Sequence, residues 1–347
     1  MNTRLFFLLF MLAQLTLVAT GVVAADSRGI ALQAVNKNPV PGLNHGTYRA
    51  LIIGNNDYRD QQGLWKPLKT ALSDAHAVKN ILQSSYGFTD VSVVENATRR
   101  DVLKAFESLS QKVLPNDNVL VYYAGHGFME NESSKGYWIP VDAEGTDNTT
   151  FLRNSTIRDE IAGIADRAKH TLLISDSCFS GSLLRRDTRG ITEVTGTEQY
   201  YTKVSNKKSV QILAAGGEEF VDDNYQSSGH SPFTYFLLNE LQNNDRPMLT
   251  LSELSTNVEK AVANNVDQVP ASGVLHGAGD ELGEFIFVKV NLVVDGIDAS
   301  KVKVQVNVTQ GDKPGDKPSS DNSTDSKPAP TPKNNNQPHT IIPVPTL

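Results

Sequence analysis

The strongest constraint on this chain is an alternation. Short apolar runs at 48–53 (YRALII), 91–94, 118–123 (NVLVYY), 171–175, 210–214 and 284–290 read as strands. Between them, at 68–86, from Thr98 to about Pro115, and at 156–168, 231–241 and 251–263, apolar residues recur at helical spacing. Thr98 and Asp101 stand as a capping pair at the start of the second helix. Strands that are apolar along their whole length must be covered on both faces. The expectation is therefore an α/β fold over 48–290, a mostly parallel six-stranded sheet with helices on both faces. Sites in such sheets lie just beyond the carboxyl ends of the strands.

Both ends of the chain read differently. Arg4, an apolar run over 5–18 and the small residues Gly21-Val22-Val23-Ala24-Ala25 have the layout of an export signal over 1–25, cut after Ala24 or Ala25. An uncleaved anchor is the alternative, but the apolar core is short for a span. The expected location is periplasmic or extracellular, with no stable membrane span once the signal is removed. Residues 26–47 read as a lead-in linker. Residues 291–310 read as a β-hairpin, 291–294 folding back on the alternating KVKVQVNV of 301–308 through Asp295-Gly296. From 311 to 347 the chain is Pro, Asn, Asp and Ser rich and reads as a disordered tail. A formal net charge of −7 argues against nucleic acid or an anionic membrane as partner.

The chain has one cysteine, Cys178, so no internal disulfide can form. A lone thiol in an oxidising compartment is a hazard unless it is buried or used. Cys178 follows the fourth strand in Asp176-Ser177-Cys178-Phe179-Ser180-Gly181, and His126 follows the third in Ala124-Gly125-His126-Gly127. A thiol becomes a nucleophile when a base takes its proton, and a histidine on a neighbouring strand end can be that base. The backbone N–H groups of Gly127 and Cys178 are natural donors to an oxyanion. A packed core thiol beside a surface histidine is the bland alternative. A metal site would need further ligands, and none is expected.

The order GHG then DSCFSG, with ALIIGNNDY at 50–58, ALSDAHAVKNIL at 71–82, YWIPVDA at 137–143 and GHSPFTYFLLNEL at 229–241, resembles the caspase-like cysteine peptidases, metacaspases in particular. The resemblance spans roughly the whole of 48–290. It implies an endopeptidase with Cys178 as nucleophile and His126 as base, acting on proteins or peptides. Caspases read a substrate aspartate with an arginine whose matching position here is Leu68. Metacaspases read Arg or Lys with acidic residues, and Asp74 and Asp176 match two of them. A pair of carboxylates in one pocket suits a guanidinium or ammonium group. Family members often need calcium, which Glu218-Glu219 and Asp222-Asp223 could bind, although no calcium-loop pattern is present and no cofactor is required. The polar, basic stretch 183–209 is expected to be irregular and open to self-cleavage at Arg185, Arg186 or Arg189. A monomer is expected over a dimer. Two other readings share these residues: a non-catalytic binding or scaffold module of the same fold, and a transpeptidase or amidase using the same dyad.

Overall fold

The computed structural model describes residues 46–130, 133, 135–177, 183, 197–216 and 223–290, with strand backbone also at 33–35, 184–185, 291–294 and 297–298. All lie within a first unit, Met1–Val302; the second, Lys303–Leu347, holds no described residue. The expected signal segment, the 301–308 strand and the tail therefore fall outside the described residues.

The central sheet is built from β2 (Tyr48–Gly54), β3 (Asp90–Glu95), β4 (Asn118–Ala124), β8 (His170–Asp176), β10 (Ser209–Ala214), β12 (Ala271–Leu275) and a two-residue edge, β9 (Leu184–Arg185). Their order is β3-β2-β4-β8-β10-β12-β9. The first five are parallel, β12 runs antiparallel to β10, and β9 antiparallel to β12. Alternation along each strand splits the core in two. Ala50, Ile52, Leu120, Tyr122, Leu172 and Ile174 face one layer; Leu51, Ile53, Val119, Val121 and Leu173 face the other. The first layer is filled by α1 (Ala71–Tyr86), α5 (Pro232–Asn243) and α6 (Leu251–Ala263). The second is filled by α2 (Arg99–Lys112) and α3 (Asn154–Ala165). Helices thus cover both faces of a mostly parallel sheet, as the alternation predicts. No helix among the described residues is long and apolar enough to cross a membrane.

Local chemistry sets the boundaries. Thr98 and Asp101 form a capping box at α2, each side chain accepting the other's backbone N–H. α1 stops at Gly87, whose φ of +67° is the left-handed cap conformation, with its N–H on Leu82 O. α1 begins at Ala71 rather than 68, with Thr70 at its N-cap and the Leu68 N–H bonded to Asn56 O.

Several elements differ from expectation. The sixth long strand of the sheet is β12; the apolar run at 284–290 instead forms β13 (Ile286–Val288), paired with β11 (Met248–Thr250). Apolar content marks a strand but does not say which sheet receives it. Residues 127–153, where no strand was expected, form a small antiparallel sheet: β5 (Gly127–Glu130), β6 (Lys135–Trp138) and β7 (Leu152–Arg153). The stretch 183–209 is not irregular throughout: it holds β9 at one end and α4 (Glu198–Ser205) at the other. α4 buries little besides Tyr201 and Ser205, too few for a readable period. In the expected linker, β1 (Gln33–Val35) pairs with β14 (Asn291–Val294), which also pairs with β15 (Ile297–Asp298) across Asp295-Gly296.

Candidate active site

The site lies at the carboxyl end of the sheet. Ala124 and Asp176, the last residues of β4 and β8, are register partners, and Gly125 N–H binds Asp176 O at 3.2 Å. Each expected dyad residue follows its strand end by two positions: His126 after Ala124, Cys178 after Asp176. His126 is described. Cys178 lies outside the described residues, as do Arg186, Arg189 and the side chain of Arg185.

His126 is held at three points. Its backbone N–H donates to Tyr58 Oη at 2.7 Å, and its carbonyl accepts from Tyr123 Oη at 2.9 Å. Its ring nitrogen Nε2 lies 2.8 Å from Lys66 O. A carbonyl only accepts, so the Nε2 proton belongs to this bond and Nδ1 is left as the basic nitrogen. The Tyr58 ring packs 4.5 Å away and that of Trp65 5.8 Å. Burial pushes the imidazole below its ordinary value; the Lys66 carbonyl and the Asp223 charge oppose that shift. Gly125 tolerates no side chain, since a Cβ would stand 2.7 Å from Tyr123 Oη and 2.8 Å from Tyr58 Oη.

Gly127 opens β5 opposite Trp138. The preceding pair is bonded, Ile139 N–H to His126 O at 3.0 Å. Bonded and unbonded pairs alternate in antiparallel ladders, so the Gly127 N–H points away from β6.

Asp74, Asp176 and His126 line one cleft, together with Leu68, Thr70, Ser177, Asp223, Ser231 and Gln268. Its cavity volume is about 120 Å³, room for one side-chain head group. Asp74, in the first turn of α1, is 1% exposed. It accepts from His230 Nδ1 at 2.6 Å and Ser231 N–H at 3.2 Å, and burial raises its pKa despite both partners. Asp176 Oδ2 accepts from Ser231 Oγ at 2.5 Å and Thr234 Oγ1 at 2.6 Å. The single Thr234 proton is spent there, so Tyr122 Oη donates to Thr234, at 2.6 Å. Burial, then the neighbouring Asp74, pushes Asp176 up to about 7. The hydroxyls come from the start of α5, where Ser231 is the N-cap and also accepts Thr234 N–H at 3.0 Å.

Sequence reasoning missed Asp223 as a member of this group. It accepts from Lys69 N–H and, at 2.8 Å, from Thr70 Oγ1. It also missed Lys66, whose contribution is a backbone carbonyl with no sequence signature. Tyr58 could have been found, since it closes the ALIIGNNDY stretch. Among the described residues no three His, Cys, Asp or Glu side chains gather as a metal ligand set. Of the residues named for calcium, Asp223 lies in this cleft and accepts from the two residues before α1, while Glu218, Glu219 and Asp222 lie outside the described residues.

Comparison with known proteins bears on this geometry. The sequence pattern of the caspase domain, Peptidase_C14, matches residues 47–274. Metacaspase-1 of Eremothecium gossypii is 30% identical over 159 residues, 40% of this chain and 33% of that protein. Metacaspase-1 of Saccharomyces cerevisiae is 28% identical over 160 residues, 40% of this chain and 34% of that protein. The match thus spans about a third of the length of these relatives. The crystal structure of protein GSU0716 from Geobacter sulfurreducens aligns at 18% identity with a TM-score of 0.43, covering 69% of this chain and 99% of that one.

Proposed function

The chain belongs to the caspase domain family, and on that premise we propose that it is a cysteine endopeptidase cutting after Arg or Lys through His126 and Cys178. The observation that carries the specificity is the shared cleft: three carboxylates and His126 line it, and Leu68 stands where a cation would be needed to read an acidic residue. Three acids, with no arginine or lysine among the described lining residues, favour a cationic side chain.

The chemistry follows from the protons. Neutral His126, its Nε2–H tied to Lys66 O, takes the Cys178 thiol proton at Nδ1. The thiolate sulfur attacks the peptide carbonyl carbon, and the Gly127 and Cys178 N–H groups hold the resulting oxyanion. The C–N bond breaks as the imidazolium returns its proton to the leaving amine. Water, deprotonated by the same imidazole, then hydrolyses the thioester. No step is routed through calcium; an activating role for it is a separate proposal that the assay below also tests. Residues 1–25 as an export signal would place this activity outside the cytoplasm. Self-cleavage within the basic stretch, after Arg185, Arg186 or Arg189, is part of the same proposal.

The test is a panel of fluorogenic peptides ending in Arg, Lys or Asp, with wild type, Cys178→Ala and His126→Ala, with and without calcium. The expected result is turnover of the Arg and Lys peptides, reduced at least ~10³-fold in either variant. Cleavage after Asp would overturn the pocket assignment. No turnover of any peptide, even after nicking within 183–209, would favour a binding module.

A further inference from the structure

Gln268 lines the same cleft from the loop between α6 and β12. The residue is only 9% exposed, and its side-chain oxygen Oε1 is buried without a hydrogen-bond partner. The backbone beside it packs closely on the end of β10. A Cβ on Gly216 (φ +113°), just past β10, would stand 2.3 Å from Val269 O, so the two backbones are in direct contact. A buried unpaired acceptor is unfavourable by about 1–3 kcal/mol, a cost relieved by any ligand that brings it a donor.

The neighbouring donors are already committed: Thr70 to Asp223, whose backbone O and Oδ1 lie 2.6 and 2.8 Å away, Ser231 and Thr234 to Asp176, and His230 to Asp74. The cleft is therefore rich in acceptors and suits a donor-rich head group. A lysine ammonium brings three donors on one nitrogen, and carboxylates on more than one side use them. A guanidinium brings five in a plane, enough to meet carboxylates and still present an N–H to a neutral carbonyl.

We propose that Gln268 is a specificity-determining residue that accepts an N–H from the guanidinium of a substrate arginine and so favours Arg over Lys at the cleaved position. This rests on the reading of the cleft as a pocket for basic side chains. The residue adds no charge, so it acts on the choice between two cations, not on the choice of cation over anion.

The experiment compares kcat/KM for matched peptides ending in Arg or Lys, using wild type, Gln268→Met, which keeps the length and loses the acceptor, and Gln268→Leu, a second neutral variant without the acceptor. Wild type should prefer Arg by about tenfold or more, the scale of one well-placed hydrogen bond. Gln268→Met and Gln268→Leu should each lose about tenfold on Arg and little on Lys. Equal losses on both peptides, or an unchanged ratio, would overturn the role of Gln268 and leave the basic pocket standing. If Gln268→Met is poorly folded, Gln268→Leu decides: an unchanged Arg preference in a folded Leu variant rejects the proposal. Cleavage by wild type after Asp alone, or after nothing, removes the basic pocket and this assignment together.

Discussion

β8 begins at His170 and ends at Asp176, and the protein treats these two titratable residues in opposite ways. His170 is buried with both ring nitrogens partnered, Nδ1 on Ser209 Oγ at 2.8 Å and Nε2 on Ser205 O at 2.9 Å. The charged groups at the neighbouring strand starts are paired as well. Asp117 accepts from Thr47 N–H, Arg49 Nε and Leu114 N–H, and Arg49 also pairs with Asp90. At the other end, Asp176 faces Asp74 and Asp223 with hydroxyls for partners, and Gln268 keeps an unpaired oxygen. At the amino end the charged groups are paired, and one hydroxyl, Thr171 Oγ1, is left buried without a partner; at the carboxyl end three carboxylates and the Gln268 oxygen share one cleft. In open parallel sheets that asymmetry separates the end that stabilises from the end that binds.

The largest effect that would sharpen this contrast comes from Asp117→Ala. The substitution takes the acceptor from Arg49 Nε and from the Thr47 and Leu114 N–H groups, while Arg49 keeps Asp90, so stability should fall by about 3 kcal/mol. In a domain of this size that is a drop in Tm of roughly 6–12 °C by scanning calorimetry. Peptidase activity of the folded fraction at low temperature should be unchanged. A drop in Tm of a degree or less would mean the amino end is not the stabilising one.

A middle-sized effect separates the two ends of β8 by pH. Burial pushes His170 down to about 4 from the ordinary 6.5, so the unfolded chain binds a proton that the folded chain refuses. Stability from His170 is complete above about 6.5 and is lost as pH falls towards 4. Asp176 is the reverse: raised from 3.8 to about 7, it holds a proton that the unfolded chain has released. Its contribution is complete below about 3.8 and is lost as pH rises towards 7. Asp176→Asn, shaped like the neutral acid, should therefore raise Tm by several degrees at pH 8 and hardly change it at pH 4, while cutting kcat/KM on Arg peptides about 100-fold. Equal Tm shifts at both pH values would show that the Asp176 carboxylate is not held against its preference.

What could be read from sequence divides along the same line. The strands and helices around the site were legible because apolar periodicity and caps such as Thr98 with Asp101 are local signals. His126 was legible because glycines flank it after an apolar strand, and Asp74 and Asp176 through their resemblance to metacaspase positions. Asp223, Lys66 and Gln268 were not. Asp223 and Gln268 sit in loops with no period, reaching the cleft only through the packing of α1 and β10. Lys66 acts through a backbone atom that any residue would supply. β12, with its Ser272-Gly273, was too weakly apolar to compete with 284–290 for the sheet, yet its antiparallel pairing with β10 directs Gln268 towards the site.

The smallest effect concerns how the carbonyl that holds His126 is itself held. Asp60 Oδ1 accepts N–H bonds from Gln62 and Gly145 at 3.0 Å each, and Oδ2 from Leu64 at 2.6 Å and Trp65 at 3.0 Å. Burial works against the carboxylate, but these four bonds hold its pKa below the ordinary value. Trp65 Nε1 adds a bond to Gly145 O at 2.9 Å, so the loop ending at Lys66 is tied to the segment around Gly145. Asp60 touches no reacting atom, and its influence on catalysis passes through Lys66 O to the Nε2–H of His126. Asp60→Ala should lower kcat about three- to tenfold, because the imidazole spends less time with its proton fixed on Nε2. KM should stay near the wild-type value, since the acidic wall is untouched, and Asp60→Asn, which keeps one acceptor, should fall between the two. A variant whose KM rises while kcat holds would place Asp60 on the substrate-binding side of the cleft and break the division drawn here between a backbone-anchored base and a carboxylate pocket.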